Sequence, residues 1–324
     1  MLGRAHARWS GVDRPGGRPL RLATRGSPLA RRQSDMVGHL LAQAVPGIWT
    51  EAVVVRTEGD RRRDEPLDHI GGQGVFVKEI QEAVLEGRAD IAVHSAKDMP
   101  PCTPPGLVLG AVPERGDARD ALVGSTLGEL GPGARVATGA ARRRAQLANL
   151  RPDLCFVPAR GNIERRVAKA TTGDADAVVV AMAALERLNI TSQAAEVLSP
   201  WVMLPQVGQG AIGLECGADD EALLALLGEI DDAEAHRAVL AERAMLRALG
   251  ASCSLPVGGW AENREGTLEL QGLVATADGR VVVRATRSGD DPEALGSAVA
   301  RALIEECGAA SLLDDAPMAP DQPR

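Results

Sequence analysis

Leu20-Arg21-Leu22-Ala23-Thr24-Arg25-Gly26-Ser27-Pro28-Leu29-Ala30, followed by the apolar run Ala52-Val53-Val54-Val55, decides the fold class. Leu20–Ala23 reads as a short strand, Thr24–Pro28 as a turn, and the helix it opens runs to about Ala44. Ala52–Arg56 is a second strand. Further on, Phe76, Ile80, Ala83 and Val84 recur at helical spacing with Gly87 as a stop, and Asp90–His94 is a strand of the buried kind. This β-α-β rhythm predicts a mostly parallel sheet, because parallel neighbours need a helical crossover. Between the second strand and that helix, Thr57–Gly74 has no apolar periodicity and reads as a long loop.

After a polar crossover at Pro113–Asp120 the rhythm resumes. It runs through strand Ala134–Ala137, helix Ala141–Leu150, strand Leu154–Pro158, helix Asn162–Ala170, strand Ala177–Ala181 and helix Met182–Leu188. A second α/β domain follows from it. Pro205–Glu215, with Gly208-Gln209-Gly210, reads as a return crossover. The pattern then changes to a long helix, Asp231–Leu249, and strands near Val257–Ala261, Leu268–Ala275 and Val281–Thr286. The last two are joined by the hairpin turn Asp278-Gly279, and helix Pro292–Cys307 closes the chain. That is a smaller α+β domain with an antiparallel sheet. The expected division is residues 1–18 as an extension, 19–115 with 206–228 as domain 1, 116–205 as domain 2 and 229–318 as domain 3.

Composition narrows the function. The chain has 324 residues, 45% hydrophobic and 25% charged, which is globular and long enough for more than one core. With no Tyr and two Phe, it lacks the aromatic platforms on which single-strand binders stack bases. Its 36 basic against 44 acidic residues disfavour a general nucleic-acid or anionic-membrane role. Lysines are confined to Lys78, Lys97 and Lys169, so almost all positive charge is arginine, which suits forked recognition of carboxylates. No apolar run reaches the ~18 residues of a membrane helix, and Met1–Arg18 lacks the apolar core of a secretory signal. Cys102, Cys155, Cys216, Cys253 and Cys307 are odd in number and scattered, so a reduced, cytoplasmic, metal-free protein is expected.

Three constellations carry chemistry. Arg142-Arg143-Arg144, Arg160, Arg165, Arg166 and Arg187 cluster just after strands or at helix starts, where α/β proteins bind anions. A solvated arginine-rich face is the alternative. His94-Ser95-Ala96-Lys97-Asp98 puts a carboxylate past a strand end, as a general acid/base or as a turn cap. Cys253 sits in a loop of small residues, either a reachable thiol or a small core hydrophobe.

Taken in order, these stretches resemble the porphobilinogen deaminase family. The carrying segments are Ala23–Ala30, Gly71-Gly72-Gln73-Gly74-Val75-Phe76-Val77-Lys78-Glu79, Asp90–Asp98, Arg142-Arg143, Arg160-Gly161-Asn162, Leu204-Pro205, Val207–Ala211, and Cys253 with Pro256-Val257-Gly258. The resemblance implies two α/β domains like type II periplasmic binding proteins with a hinge, plus the smaller α+β domain. It also implies a reaction in which four porphobilinogens are deaminated and joined head to tail to give hydroxymethylbilane and ammonia. The cofactor it implies is a dipyrromethane held by a thioether to Cys253.

By the same resemblance Asp98 is the catalytic carboxylate. Lys97, Arg142, Arg143, Asp60 and Ser27 fall on the cofactor side, Arg25, Arg160, Arg166, Arg187 and Gln209 on the substrate side, and His69, Gln73 and Phe76 in a lid loop. The implied protein is a cytoplasmic monomer that passes its product to uroporphyrinogen-III synthase, with no nucleic-acid, membrane or metal partner. Gln73 stands where lysine is common, His69 replaces a lysine of some members, and Gly139-Ala140-Ala141 replaces a Ser-Ser-Leu, removing two hydroxyls expected near a cofactor carboxylate. A non-catalytic binding module and an inactive relative are the competing readings.

Overall fold

The computed structural model describes residues 18–61, 76–250 and 255–314. The chain divides into two compact units, one drawn from Met1–Glu65, Gly74–Arg115 and Ala211–His236, the other from Pro66–Gln73, Gly116–Gly210 and Arg237–Arg324.

The first unit is built on strands β1 (Leu20–Arg25), β2 (Thr50–Val55), β3 (Ile91–Ser95), β4 (Leu107–Ala111) and β10 (Ile212–Gly217), in the order β2-β1-β3-β10-β4. Helix α1 (Pro28–Ala44) starts at Ser27, whose hydroxyl accepts the Ala30 N–H at 3.2 Å, with Pro28 pre-set for the first turn. Alternation along the strands sends neighbouring side chains to opposite faces. Leu20, Leu22, Ile91 and Val93 pack with Val37 and Leu41 of α1. Ala23 and Ala92 turn the other way, onto Ile80 and Ala83 of α2 (Lys78–Leu85). Both faces are therefore covered, as a largely parallel sheet requires.

The second unit holds two sheets. One comprises β5 (Asp120–Val123), β6 (Arg135–Ala137), β7 (Cys155–Val157), β8 (Ala177–Ala181) and β9 (Ala194–Val197), ordered β7-β6-β8-β5-β9. Helices α3 (Ala141–Leu150), α4 (Ile163–Thr171) and α5 (Met182–Arg187) accompany it. Val178 and Val180 meet Val167 and Leu185, while Val179 meets Leu147 on the opposite face. Beyond α6 (Glu221–Leu227) of the first unit and the long helix α7 (Ala233–Ala248) comes the other sheet. It is an antiparallel meander, β11 (Val257–Arg264), β12 (Thr267–Ala275) and β13 (Val282–Gly289), closed by α8 (Pro292–Arg301). Met245 and Leu246 of α7 pack there with Leu270, Val299 and Leu303.

The five-stranded sheets depart from the expectation in two respects: β4, β5, β9 and β10 are strands that the reading of the sequence did not name, and two of them run against their neighbours. In each the fourth strand runs backwards: β10 is antiparallel to β3 and β4, and β5 to β8 and β9. Both reversed strands lie partly in segments whose polarity had read as pure crossover. Polar ends mask a short apolar run, so Ala121-Leu122-Val123 and Ile212-Gly213-Leu214 carry too weak a periodic signal. The expected loop at Thr57–Gly74 opens with a helical turn, Glu58–Arg61, whose first N–H is accepted by Glu79 Oε1 at 2.6 Å. The hairpin between β11 and β12 turns at Glu265-Gly266, both with positive φ (54° and 90°).

Candidate active site

At the carboxyl end of β3 the chain makes a single 3₁₀ turn, Ala96–Asp98. Ala96 N–H donates to the Ala211 carbonyl at 3.0 Å, and buried Met99 anchors the far side. Asp98 is half-buried, and its carboxylate makes no hydrogen bond or ion pair among the described residues, so the turn-cap reading has no bond behind it. Lys97 shares the turn. Parallel pairing of β1 with β3 brings Arg25, the last residue of β1, to the same edge of the sheet, the carboxyl end at which α/β proteins bind ligands. The Arg25 guanidinium lies 4.0 Å from the centroid of the Phe76 ring, a cation–π contact that holds both. Ser27 spends its hydroxyl oxygen as the α1 cap. Asp60 falls in the turn Glu58–Arg61.

Behind the turn lies a buried polar group. His94 Nε2 is 3.1 Å from Glu215 Oε2, which also accepts from Gln81 Nε2 at 2.8 Å.

In the second unit the paired arginines are turned inward. Asp120, the first residue of β5, is fully buried. Its Oδ2 accepts from Arg142 Nη2 at 2.7 Å, and its Oδ1 from Arg143 Nη2 at 2.7 Å, Arg143 Nε at 3.1 Å and Gln209 Nε2 at 2.9 Å. Burial alone would raise the Asp120 pKa; the two guanidiniums outweigh it and lower it to about 2. The remaining contacts run to main-chain carbonyls, Arg142 to Leu204 and Arg143 to Val179. Three cations, Arg142, Arg143 and Arg144, at the start of α3 oppose its macrodipole, and Asp120 offsets that cost for the first two.

Gln209, expected on the substrate side, is instead fully buried, its amide donating to Ala118 O at 2.7 Å as well as to Asp120. Arg187 is half-buried, donates to the Gly210 carbonyl at 2.6 Å, and has its pKa pushed down to about 10 by burial, still charged at neutral pH. Arg166 is half-buried and donates to Gly161 O at 2.9 Å, whereas Arg160 is exposed. Gly139 has a steric reason to be glycine: a Cβ there would come 2.7 Å from the Ala159 carbonyl oxygen. His69, Gln73 and Cys253 lie outside the described residues. Among the described residues no group of His, Cys, Asp and Glu is arranged to hold a metal ion, and no helix is long and apolar enough to cross a membrane.

Sequence reasoning missed Asp120, Glu215 and Glu242. Each is a carboxylate with no exposure, and the available signal was a lone acid at the edge of an apolar strand or helix face. Such a group must find a partner when buried.

Two five-stranded sheets with a reversed fourth strand, order 2-1-3-n-4, define a protein of the type II periplasmic-binding-protein class, here with an antiparallel sheet added. The chain belongs to the porphobilinogen deaminase family. Residues 20–225 match the model described as porphobilinogen deaminase, dipyromethane cofactor binding domain, and residues 236–305 match porphobilinogen deaminase, C-terminal domain. It is 46% identical to a porphobilinogen deaminase of Roseiflexus sp. (strain RS-1) over 90% of this chain and 97% of that protein. It is 43% identical to one of Syntrophobacter fumaroxidans over 92% and 98%. Among solved structures, the VFT2 domain of Bordetella pertussis BvgS covers 71% of this chain and 92% of its own at 19% identity and a TM-score of 0.40. The protein is thus a transferase of tetrapyrrole biosynthesis with dipyrromethane as its cofactor.

The residues suit that group. A dipyrromethane made from porphobilinogen carries carboxylates, and Arg142 Nε is a buried donor without a partner. A ligand carboxylate would satisfy it.

Proposed function

We propose that the protein condenses four molecules of porphobilinogen into hydroxymethylbilane, with Asp98 as the catalytic carboxylate. The observation that carries this reading is the unpaired Asp98 carboxylate on a pinned turn at the carboxyl end of β3. When bound, dipyrromethane supplies the electron-rich pyrrole carbon from which the chain grows. Asp98 would pass a proton to the departing amine of the incoming substrate, stabilise the cation left behind, and take up the proton lost after coupling. A free carboxylate can do this; one locked in a salt bridge could not.

Cys253 is the attachment residue in this reading. Arg142, Arg143 and Lys97, with Asp60 and Ser27 nearby in the motif order, serve the cofactor side. Arg25, Arg160, Arg166 and Arg187 receive substrate acetate and propionate groups, whose number grows with each turnover. The excess of arginine over lysine supports this, since a guanidinium binds carboxylates in a fixed fork. The same reading divides the chain at 19–115 with 206–228, 116–205 and 229–318. It makes the enzyme a cytoplasmic monomer whose product passes to uroporphyrinogen-III synthase.

The test is intact mass before and after incubation with porphobilinogen, for the native protein and for Cys253→Ser. An excess of two linked pyrrole units on the native chain, absent from the variant, is expected. An adduct retained by Cys253→Ser would move the attachment elsewhere, and no adduct on either would favour the non-catalytic binding module.

A further inference from the structure

We propose that Asp120 is a positioning residue for this reaction, acting through Arg142 and Arg143. The inference rests on the reading above, in which those arginines receive a ligand carboxylate. Each Asp120 oxygen serves a different arginine: Oδ2 takes Arg142, and Oδ1 takes Arg143. The plane of one carboxylate therefore sets the relative orientation of two guanidiniums. Gln209 Nε2 donates to the same Oδ1 at 2.9 Å and to Ala118 O at 2.7 Å, so the carboxylate cannot rotate freely.

Charge tells the same story. Two guanidiniums face one carboxylate, and all three side chains are at least nine-tenths buried. Burying a surplus charge without a partner is costly. A cluster shaped for stability alone would balance, with one of the arginines replaced by an apolar side chain. The surplus positive charge and the partnerless Arg142 Nε are what a single carboxylate from outside would complete.

The crossover supports the arrangement from its other side. Gly208 N–H donates to Glu242 Oε2 at 2.6 Å, and Ala261 N–H to Glu242 Oε1 at 2.8 Å. Gln209 is thus delivered to Asp120 by a segment that a second buried carboxylate pins to α7 and β11. Gln209 acts here as part of the support rather than as a substrate contact.

The experiment uses the full chain carrying Asp120→Asn, which keeps size and removes the charge. The readouts are the rate of dipyrromethane adduct formation from porphobilinogen by intact mass, KM for porphobilinogen and kcat per adduct-bearing molecule, and the thermal midpoint. The expected result is adduct formation slowed about 10-fold, with KM and kcat of adduct-bearing molecules within about 3-fold, because Arg142 and Arg143 serve the cofactor side. A lowered midpoint with adduct formation at the native rate would make Asp120 purely structural and overturn the proposal. So would faster adduct formation, because the net charge would then matter and the orientation would not. Should Asp120→Asn fail to fold, Gln209→Met removes one bond onto Asp120 without altering charge. Adduct formation slowed about 3-fold is expected there, and an unchanged rate overturns the proposal. Native protein that never takes up the adduct would sink the underlying reading as well; normal native loading with normal variants sinks only this inference.

Discussion

The amide of Gly116 donates to the carbonyl of Gly210 over 3.2 Å, joining the segment that enters the second five-stranded sheet to the one that leaves it. Gly210 has a φ of +86°, and a Cβ there would collide with the Gly116 carbonyl and lie 3.1 Å from Ala118 N. The Arg187 guanidinium caps the same Gly210 carbonyl. Glycine is required at this point by both conformation and space.

Gly210→Ala should therefore lower stability by about 2 kcal/mol or more, through left-handed strain and the forced parting of the two segments. Urea unfolding of the full chain checks it. A midpoint equal to that of the native protein would mean that the segments separate without cost.

Asp98→Asn should reduce turnover by about 100-fold or more, the scale of a lost general acid/base, while the adduct on Cys253 is retained. Since the Asp98 carboxylate has no partner among the described residues, the thermal stability should move by less than about 0.5 kcal/mol. Single-turnover kinetics on the adduct-bearing protein separate the two effects. Unimpaired turnover would remove Asp98 from the chemistry.

Asp120 predicts an acid limb of stability. Its pKa is lowered from 3.8 to about 2, so the unfolded chain takes up a proton first as pH falls. The contribution is whole above about pH 4 and is lost between there and about pH 2. Asp120→Asn should be less stable at pH 7, and its stability should fall less between pH 4 and pH 2 than that of the native protein. Parallel acid titrations of the two proteins would refute the assignment.

Thiol labelling should discriminate among the cysteines. Burial, followed by the nearby Asp220 and Glu215 carboxylates, pushes the Cys216 thiol up to about 12. Cys102 and Cys155 are exposed. At pH 8 iodoacetamide should modify Cys102 and Cys155 in the native state and reach Cys216 only after unfolding. Peptide mass analysis reads the order, and early modification of Cys216 would contradict the packing of β10.

The reach of the sequence differed from element to element. Helix α1 was legible from its helical apolar spacing, and strands β1, β3 and β8 from short apolar runs, which in β3 and β8 are continuous and mark strands buried on both faces. The reversed strands β5 and β10 were not, since their apolar cores are short and their flanks are charged or glycine-rich. Asp98 was open between a turn cap and an acid/base from its place after a buried strand, and only the resemblance to the family singled it out. The inward orientation of Arg142 and Arg143 could not be read at all, because a run of arginines at a helix start looks the same whether it meets solvent or a buried acid.

By itself, the sequence determined the order of the long helices and of the strands with clear apolar runs, the arginine-rich chemistry, the absence of aromatic platforms and the motifs of the porphobilinogen deaminase family. These are local properties, set by periodicity and residue type. Tertiary structure alone decided which charges are spent and which remain available. Asp120 meets Arg142 across 22 positions and Gln209 across 89, and Gln81 meets Glu215 across 134. A buried charge takes its partner from whatever the fold brings within hydrogen-bond reach, and that distance is a property of the folded chain.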